Sequence, residues 1–111
     1  MATTKSTIDY LIDQLSSSNV RARAMFGEYA LYCQDKVVAL VCDDELFVKI
    51  TDAGKKFVGK HYEEGFAYPG AKASMHISGD LCEDAKFISE LILITAKSLP
   101  EGKPKKKLKN I

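Results

Sequence analysis

Two histidines and three cysteines are the side chains best suited to acid–base, nucleophilic or metal chemistry in this sequence: His61, His76, Cys33, Cys42 and Cys82. A catalytic constellation requires a nucleophile, a base and an orienting group, and a metal site requires ligands at short, regular spacing. These residues are scattered along the chain, and no two cysteines have CxxC spacing. We therefore predict no catalytic residue, no metal site and no cofactor-binding site, and we interpret the chain as non-enzymatic.

Three polar positions have a functional alternative. Cys82 precedes a predicted helix, whose N-terminus could lower the pKa of the thiol and make it reactive, but simple packing is the favoured interpretation. His76 falls on the side of its predicted strand opposite Met75 and Ile77, which indicates an exposed position rather than a ligand. The acidic turn at 43–45 could gather a cation, although carboxylates in a tight turn are usually just solvated.

The number of cysteines is odd, which argues against a disulfide framework. If Asp35 and Lys36 form the turn between two strands, residues 33 and 38 face each other and Cys42 faces Tyr29. Cys33 and Cys42 then lie too far apart along the ladder for a disulfide, whose Cα atoms must come within about 7 Å. We expect reduced, packed thiols.

Length and composition indicate one globular domain. The chain has 111 residues, of which 46% are hydrophobic and 28% are charged, and this is enough to bury a single core. The longest apolar runs, 37–42 and 91–94, are far shorter than the ~20 residues of a membrane span. The N-terminal segment has no apolar block followed by a small-residue cleavage site. We expect a cytoplasmic protein with no membrane partner.

Charge is distributed unevenly along the chain. The formal net charge is +1, but residues 103–111 hold five lysines and no acid, so residues 1–102 carry 11 basic and 15 acidic side chains and a net charge of −4. We predict a single domain over residues 1–102 and a Lys-rich flexible tail over residues 103–111. The acidic body lacks the electrostatic footprint of a nucleic-acid domain.

The Lys-rich tail is the most prominent polar feature of the sequence. Its lysines could rest on phosphates, and neutralising four of them would give a log–log salt slope of about −3.6 on duplex DNA. Such binding would be weak and independent of sequence, and the alternative is a solubilising, disordered end. The candidate nucleic-acid contacts are Lys103, Lys105, Lys106, Lys107 and Lys109. A second basic set is expected to be a solvated face: Arg21, Arg23, Lys49, Lys55, Lys56 and Lys60.

Hydrophobic periodicity predicts the elements that position these residues. Apolar residues recur at helical spacing from Ile8 to Leu15, with Thr4 or Ser6 as the cap. From Val20 the period changes to two, which predicts a strand with one solvated face. Later strands are predicted at 28–33, 37–42, 46–50 and 72–78, with a short helix from Thr51 to Lys60 and a brief extended segment at 66–68. The continuous apolar run 37–42 is typical of a central strand covered on both faces.

The last predicted element is a helix from Glu83 to Leu99. Its 17 residues contain no glycine or proline and are too long for an ordinary strand. Its apolar arc extends beyond the stripe that would face a core, so we expect a second buried face. The candidate interaction surface on this helix is Phe87, Leu93 and Ile94.

The order of elements is helix, three or four strands, helix, two strands, helix. Runs of strands separated by single helices favour an antiparallel sheet with helices on one face over a doubly wound parallel fold. We therefore predict an α+β, two-layer sandwich with a mainly antiparallel sheet of five or six strands.

The stretch 23–51 packs three apolar segments between two short acidic turns, as a β-meander does. Its residue order resembles the opening of the TfoX N-terminal domain family, and the likeness covers roughly residues 5–100. The residues that carry the resemblance are Met25, Phe26, Gly27, Leu31, Tyr32, Leu46 and Lys49. We interpret this signature as structural, with Met25 and Phe26 as apolar anchors beside a glycine that lets the backbone turn. A binding role for Phe26 is the alternative.

The resemblance implies a fold similar to secretion chaperones and supplies no catalytic residues. Two-domain regulators of this family control transcription of genes for natural competence, and they carry a second, helical domain that we do not expect here. We therefore predict a non-enzymatic regulatory or protein-interaction module that works as a homodimer with an unidentified protein partner. The alternative hypothesis is a weak, sequence-independent nucleic-acid-binding accessory that uses its basic tail.

Overall fold

The computed structural model describes residues 3–25 and 28–99. Within them the helices are α1 (Lys5–Gln14), α2 (Asp52–Val58), α3 (Gly79–Cys82) and α4 (Ala85–Ser98). The strands are β1 (Arg21–Met25), β2 (Glu28–Cys33), β3 (Lys36–Cys42), β4 (Glu45–Val48), β5 (Glu64–Phe66) and β6 (Ala73–Ile77). This order confirms the predicted α+β class. None of these helices is long and apolar enough to cross a membrane.

The six strands form one antiparallel sheet in the order β1-β2-β3-β4-β6-β5. Strands β1 to β4 follow one another as a meander. After β4, the chain passes through α2 before β5 forms the far edge, and β6 then returns between β5 and β4. The sheet thus has six strands, the larger of the two predicted numbers.

The hydrophobic core lies between the helices and one face of the sheet. Successive side chains of a strand point to opposite faces, so alternate residues supply this core. Leu31, Val48 and Met75 are fully buried there. The helical layer adds Ile8 and Leu11 of α1, Leu15 just after it, Val58 of α2, and Ile88, Leu91, Ile92 and Ala96 of α4.

The turn between β2 and β3 consists of two residues in the left-handed region. Gln34 and Asp35 have φ angles of 55° and 62°, and Cys33 pairs with Lys36. The predicted turn at Asp35 and Lys36 is therefore wrong by one residue. A two-residue hairpin turn of this type needs positive φ at both central positions, which aspartate tolerates and which leaves lysine free to begin the strand.

A β-bulge in β3 changes the register beyond this turn. Val38 is an extra residue between the pairs Leu31–Ala39 and Tyr32–Val37. The expected facing of residues 29 and 42 is replaced by a pairing of 29 with 41. The bulge turns Val38 into the core, where its exposed fraction is 0%.

Side-chain caps determine where the helices begin. Thr4 and Thr51 each accept a hydrogen bond from the backbone N–H three residues later, at 3.4 Å and 2.9 Å. The last helix starts later than predicted, because the Asp84 carboxylate accepts a hydrogen bond from the Phe87 N–H at 3.1 Å and caps α4. The residues just before it form the separate one-turn helix α3.

Asp44, in the turn between β3 and β4, ties this hairpin to the start of α1. Its Oδ1 accepts hydrogen bonds from the Thr4 N–H at 2.8 Å and the Thr7 hydroxyl at 2.9 Å. These donors, the Thr4 amide first, lower the pKa of Asp44. The carboxylate therefore holds the helical layer against the sheet at this end of the molecule.

Lys36, at the start of β3, fixes the opposite end of the helical layer. Its Nζ donates hydrogen bonds to the carbonyl oxygens of Ala96 at 2.8 Å and Leu99 at 3.0 Å. A cation at a helix C-terminus complements the carbonyl groups that have no partner within the helix. Leu99 consequently lies beside the first residues of β3.

The other face of the sheet, here called the open face, has no helix against it in the described residues. It consists of Arg21, Arg23 and Met25 of β1, Glu28, Ala30 and Tyr32 of β2, Val37, Leu40 and Cys42 of β3, Glu45 and Phe47 of β4, and His76 of β6, with Lys49 just after β4. The prediction that β3 is covered on both faces therefore fails at Val37 and Leu40, which are half-buried. Cys42 of β3 and its neighbours Ala30 and Phe47 are nevertheless buried on this face.

Candidate functional site

One cross-strand row runs over the open face through five strands. Arg23 pairs with Ala30, Ala30 with Leu40, Leu40 with Phe47, and Phe47 with His76. Residues that pair in an antiparallel sheet point to the same side, so all five side chains lie on this face. The row therefore has a cation at one end, an apolar centre and an imidazole at the other end.

Two carboxylates surround the imidazole at the end of the row. Nε2 of His76 lies 2.6 Å from Oε1 of Glu45, and Nδ1 lies 3.0 Å from Oε1 of Glu63. A ring that carries a proton on each nitrogen donates to both carboxylates, whereas a neutral ring has a single N–H. The Glu45 and Glu63 side chains are 53% and 67% exposed, so both remain open to a cation from outside.

The environment of His76 differs in part from the prediction. The residue does lie opposite Met75 and Ile77, but its side chain is only 25% exposed. Its ring packs beside Phe47, with 5.3 Å between ring centroids. We therefore describe it as the centre of a charged cluster rather than a freely solvated residue.

A cleft of about 650 Å³ adjoins this cluster, between α1, α3 and the strands β4 and β6. Its lining includes Tyr10, Glu45, His76 and Cys82. The Cys82 thiol donates to the Ile77 carbonyl at 3.9 Å, and burial raises the pKa of Cys82 to about 11. The thiol is therefore protonated at neutral pH, and it lacks the thiolate character that a helix N-terminus could have given it.

Cys33, Cys42 and Cys82 are all buried free thiols, which confirms the prediction of reduced, packed cysteines. Burial raises the pKa of each. In the described ranges 3–25 and 28–99, no three His, Cys, Asp or Glu side chains are grouped so that they could hold a metal ion.

The basic residues of the body are divided between the two layers. Arg21, Arg23 and Lys49 lie on the open face, whereas Lys55 and the lysines at 56 and 60 belong to α2 and the turn after it. Arg21 forms an exposed ion pair with Asp35 at 3.1 Å. Arg23 has no carboxylate partner among the described residues. The sheet does not gather these residues into one patch.

The predicted helix surface is split by the way α4 packs. Phe87 stacks on Phe57 of α2, with 5.1 Å between ring centroids, so this ring joins two helices of the same chain. Leu93 is 40% exposed and lies between the exposed Glu90 and Lys97 on the outer side of α4. Ile94 is half-buried. The interaction surface on this helix stays a prediction.

The signature residues take different positions in the fold. Leu31 and Leu46 are core residues, with exposed fractions of 0% and 2%. Tyr32 and Lys49 lie on the open face, and Met25 is 39% exposed at the end of β1, so it is not an anchor within the core. The predicted positions Phe26, Gly27, Lys103, Lys105, Lys106, Lys107 and Lys109 lie outside the described residues.

All six strands lie within a segment that matches a known protein family. The family model of the TfoX N-terminal domain matches residues 12–97, which include all six strands of the sheet. The chain belongs to the TfoX N-terminal domain family. A protein of Spirochaeta aurantia, named an uncharacterized 12.7 kDa protein in the trpE 5′ region, is 42% identical over 107 residues. That similarity covers 96% of this TfoX N-terminal domain protein and 91% of the relative.

Within this TfoX N-terminal domain, sequence reasoning missed the cluster of Glu45, His76 and Glu63. The alternation in β4 and β6 was a usable signal, because it places Glu45 beside Phe47 and His76 opposite the core residues. The pairing of β4 with β6 was not readable from local pattern. Only that pairing brings residues 45 and 76 together.

Proposed function

We propose that this protein is a non-enzymatic regulatory and protein-interaction module that acts as a homodimer through its open face. The proposal rests on the residue composition of the open face. When one side of an antiparallel sheet faces water, the residues on that side are normally polar. Here Tyr32, Val37, Leu40 and Phe47 point away from the helices. An apolar centre with a charged rim is typical of a protein-binding surface.

Family membership supports the regulatory part of the proposal. The two-domain members of the TfoX family regulate transcription of competence genes, and we propose that this protein also influences transcription through a protein partner. The three buried free thiols support a reducing, cytoplasmic location. The raised pKa of Cys82 supports the non-enzymatic part, because it removes the strongest candidate nucleophile.

Replacement of the chromosomal gene in the source organism tests this function. We expect Leu40→Arg, on the open face, to change the transcript profile in the same way as deletion of the gene. Leu93→Arg is the matched control, because Leu93 is 40% exposed on the outer side of α4 and should leave the profile unchanged. Both variant proteins must accumulate to the wild-type level, as measured by immunoblot.

Two results would contradict the proposal. A deletion strain with an unchanged transcript profile would remove the regulatory role. If Cys82→Ala reproduced the deletion and Leu40→Arg did not, the cleft beside α1 would be the working site, and the protein would be better interpreted as an enzyme or a small-molecule receptor.

The basic tail supports a second candidate function, a nucleic-acid-binding accessory. Residues 103–111 carry five lysines. We expect the full chain to retard duplex DNA in a gel-shift assay with a log–log salt slope of about −3.6, and a chain that ends at Gly102 to lose this retardation. Equal retardation by the two chains would show that the tail does not bind DNA.

A further inference from the structure

We infer that two copies of this chain pack open face to open face about a twofold axis that lies between the sheets, parallel to β3, and passes over Leu40. This inference rests on the proposed function, because it gives a second copy as the occupant of the face through which the module acts. In a twofold interface, a residue that contacts a second residue is contacted in the same way by it. The open face must therefore complement itself under this rotation.

The charges of the cross-strand row satisfy this condition. Leu40 is the middle residue of the row, so the rotation exchanges β1 with β6 and β2 with β4. Arg23 of one copy is carried over His76 of the other copy, where Glu45 and Glu63 converge. Arg23 has no carboxylate partner among the described residues of its own chain, and the rotation supplies two. The same pairing occurs a second time on the other side of the axis.

The sizes of the side chains along the row also complement each other. The rotation places Ala30 of one copy opposite Phe47 of the other, so the smallest side chain of the row faces its phenyl ring. Leu40 meets its own copy on the axis. Two sheets that pack face to face are about 10 Å apart and interlock their side chains, which requires this alternation of large and small residues.

A hollow on the open face receives a ring from the second copy. It has a volume of about 540 Å³ and lies on the β4 side of the axis, where Leu40, Phe47, Lys49 and Tyr68 contribute to its lining. Tyr32 lies on β2, at the same end of the sheet as this hollow. The rotation exchanges β2 with β4, so that Tyr32 of each copy lies over the hollow of the other.

One pair of like charges is brought closer by the same rotation, because Glu28 of β2 moves towards Glu45 of β4. The Glu28 carboxylate is already held within its own chain by the Thr3 hydroxyl at 2.6 Å and the Asp43 N–H at 3.1 Å. These bonds hold the Glu28 carboxylate at the end of the sheet and, the Thr3 bond first, lower its pKa, so its charge and the repulsion from Glu45 remain. The attraction at Arg23 outweighs this repulsion, because Arg23 approaches two carboxylates whereas Glu28 approaches one.

The size of the face fits a weak interface. The rotation overlaps five strands of each sheet, because β5 has no strand opposite it. Five strands about 4.8 Å apart, each contributing about five residues with a rise of about 3.4 Å, span about 400 Å² in projection. Two such faces with side-chain relief bury about 900 Å² in total, which is in the range of weak, transient association. We therefore expect a dimer with a Kd on the order of micromolar.

Charges placed on the axis give the sharpest test. The full chain and its variants are examined by sedimentation equilibrium, at concentrations up to about 100-fold above the expected micromolar Kd. We expect a dimer for the wild type, monomers for Leu40→Glu and for Leu40→Arg, and a recovered dimer when these two variants are mixed. Only a residue that meets its own copy behaves in this way. Leu93→Arg is the control, and each variant is first shown to fold by its far-UV circular dichroism and melting temperature.

Charge exchange tests the ends of the row. We expect Arg23→Glu and Glu45→Arg each to raise the Kd about tenfold or more, and the double variant to return it to within about fivefold of the wild type. A monomeric wild type, a dimer that Leu40→Arg leaves intact, or a mixture of the Leu40 variants that stays monomeric would overturn the inference. The proposed function fails separately: if Leu40→Arg copies the deletion strain in a protein that never dimerises, the open face binds another protein instead.

Discussion

The two faces of the sheet are made by the same strands but lie in different environments. On the helix-covered face, Leu31, Val48 and Met75 are completely removed from solvent and join one continuous core with residues of all four described helices. On the open face, Leu40 and Val37 are only half-buried although they are equally apolar. The difference teaches that alternation within a strand can separate the residues that stabilise the fold from those available for association.

The largest expected effect comes from truncating one leucine on each face. Leu31→Ala should lower the free energy of unfolding by about 3 kcal/mol, because it leaves a cavity in a packed core. Leu40→Ala should lower it by about 1 kcal/mol or less, because the side chain is already partly in water. Urea denaturation at submicromolar protein concentration measures both for the isolated chain. Equal losses would show that the open face is as tightly packed as the core.

The rates of thiol alkylation at Cys82 and Cys42 give a second comparison of the two faces. With a pKa of about 11, Cys82 has roughly 200-fold less thiolate at pH 8 than a free cysteine with a pKa of about 8.5. Cys42 is as buried as Cys82, with exposed fractions of 4% and 6%, and burial raises its pKa as well, but only Cys82 reaches a pKa of about 11, so the thiolate fraction decides the comparison. We expect alkylation at pH 8, followed by mass spectrometry, to modify Cys82 more slowly than Cys42. Rapid modification of Cys82 would contradict its burial and reopen the reactive-thiol interpretation.

Two glycines give a smaller contrast between the faces. A Cβ at Gly54 of α2 would lie 2.9 Å from the Thr51 hydroxyl oxygen that caps this helix and 3.3 Å from Met75 Cε. We expect Gly54→Ala to lower the stability by about 1 kcal/mol, because overpacking outweighs the gain in helix propensity. At Gly65 the Cβ would lie 3.2 Å from the Phe47 ring, and a shift of this ring by a few tenths of an ångström, on a face with no helix against it in the described residues, relieves the contact.

Gly65→Ala should therefore change the stability by less than about 0.5 kcal/mol. Chemical denaturation of both variants checks the pair. A loss at Gly65 as large as that at Gly54 would mean that the Phe47 ring is held rigidly on the open face.

The smallest expected effect concerns the contact between the layers at Asp44. Its folded-state pKa is lowered, so it stabilises the protein above the unfolded-state pKa of about 3.9, and this contribution is lost as the pH falls through the lower, folded-state pKa. We expect Asp44→Asn to lower the melting temperature slightly at pH 7 and to match the wild type under strongly acidic conditions. Asp35→Asn is the control, because Asp35 is also in a two-residue turn but pairs only with an exposed arginine. If Asp44→Asn lowered the melting temperature equally at every pH, its effect would come from the changed packing of the side chain and not from the lost charge.

The sequence was sufficient where one local pattern determined the structure. The helical spacing from Ile8 to Leu15 predicted α1 and its threonine cap, and two-residue alternation predicted β1 and β6. The register was not readable, because the bulge at Val38 and the turn at Gln34 and Asp35 contain no glycine or proline to mark them. The start of α4 was misplaced because Glu83 and Asp84 are adjacent acidic residues, and of these Asp84 is the one that caps the helix.

The candidate site was less accessible to sequence reasoning than the fold. The apolar arc of the last helix suggested a surface at Phe87, Leu93 and Ile94, but that reasoning could not know that Phe57 covers Phe87. The open face escaped notice because the continuous apolar run of β3 looks the same whether one face or both are covered. Only the placement of every helix on one side distinguishes these cases.

The hydrogen bonds from Lys36 to the end of α4 have a practical consequence for anyone attaching something to this protein. They hold Leu99 at the rim of the hollow on the open face, so a purification tag, fluorophore or fused domain added after residue 99 starts beside the surface proposed to associate. Thr3 is bonded to the Val41 carbonyl at the far end of the same strand. An attachment before Thr3 therefore starts at the end of β3 opposite the hollow, and the choice of attachment point decides whether the hollow stays open to a second copy.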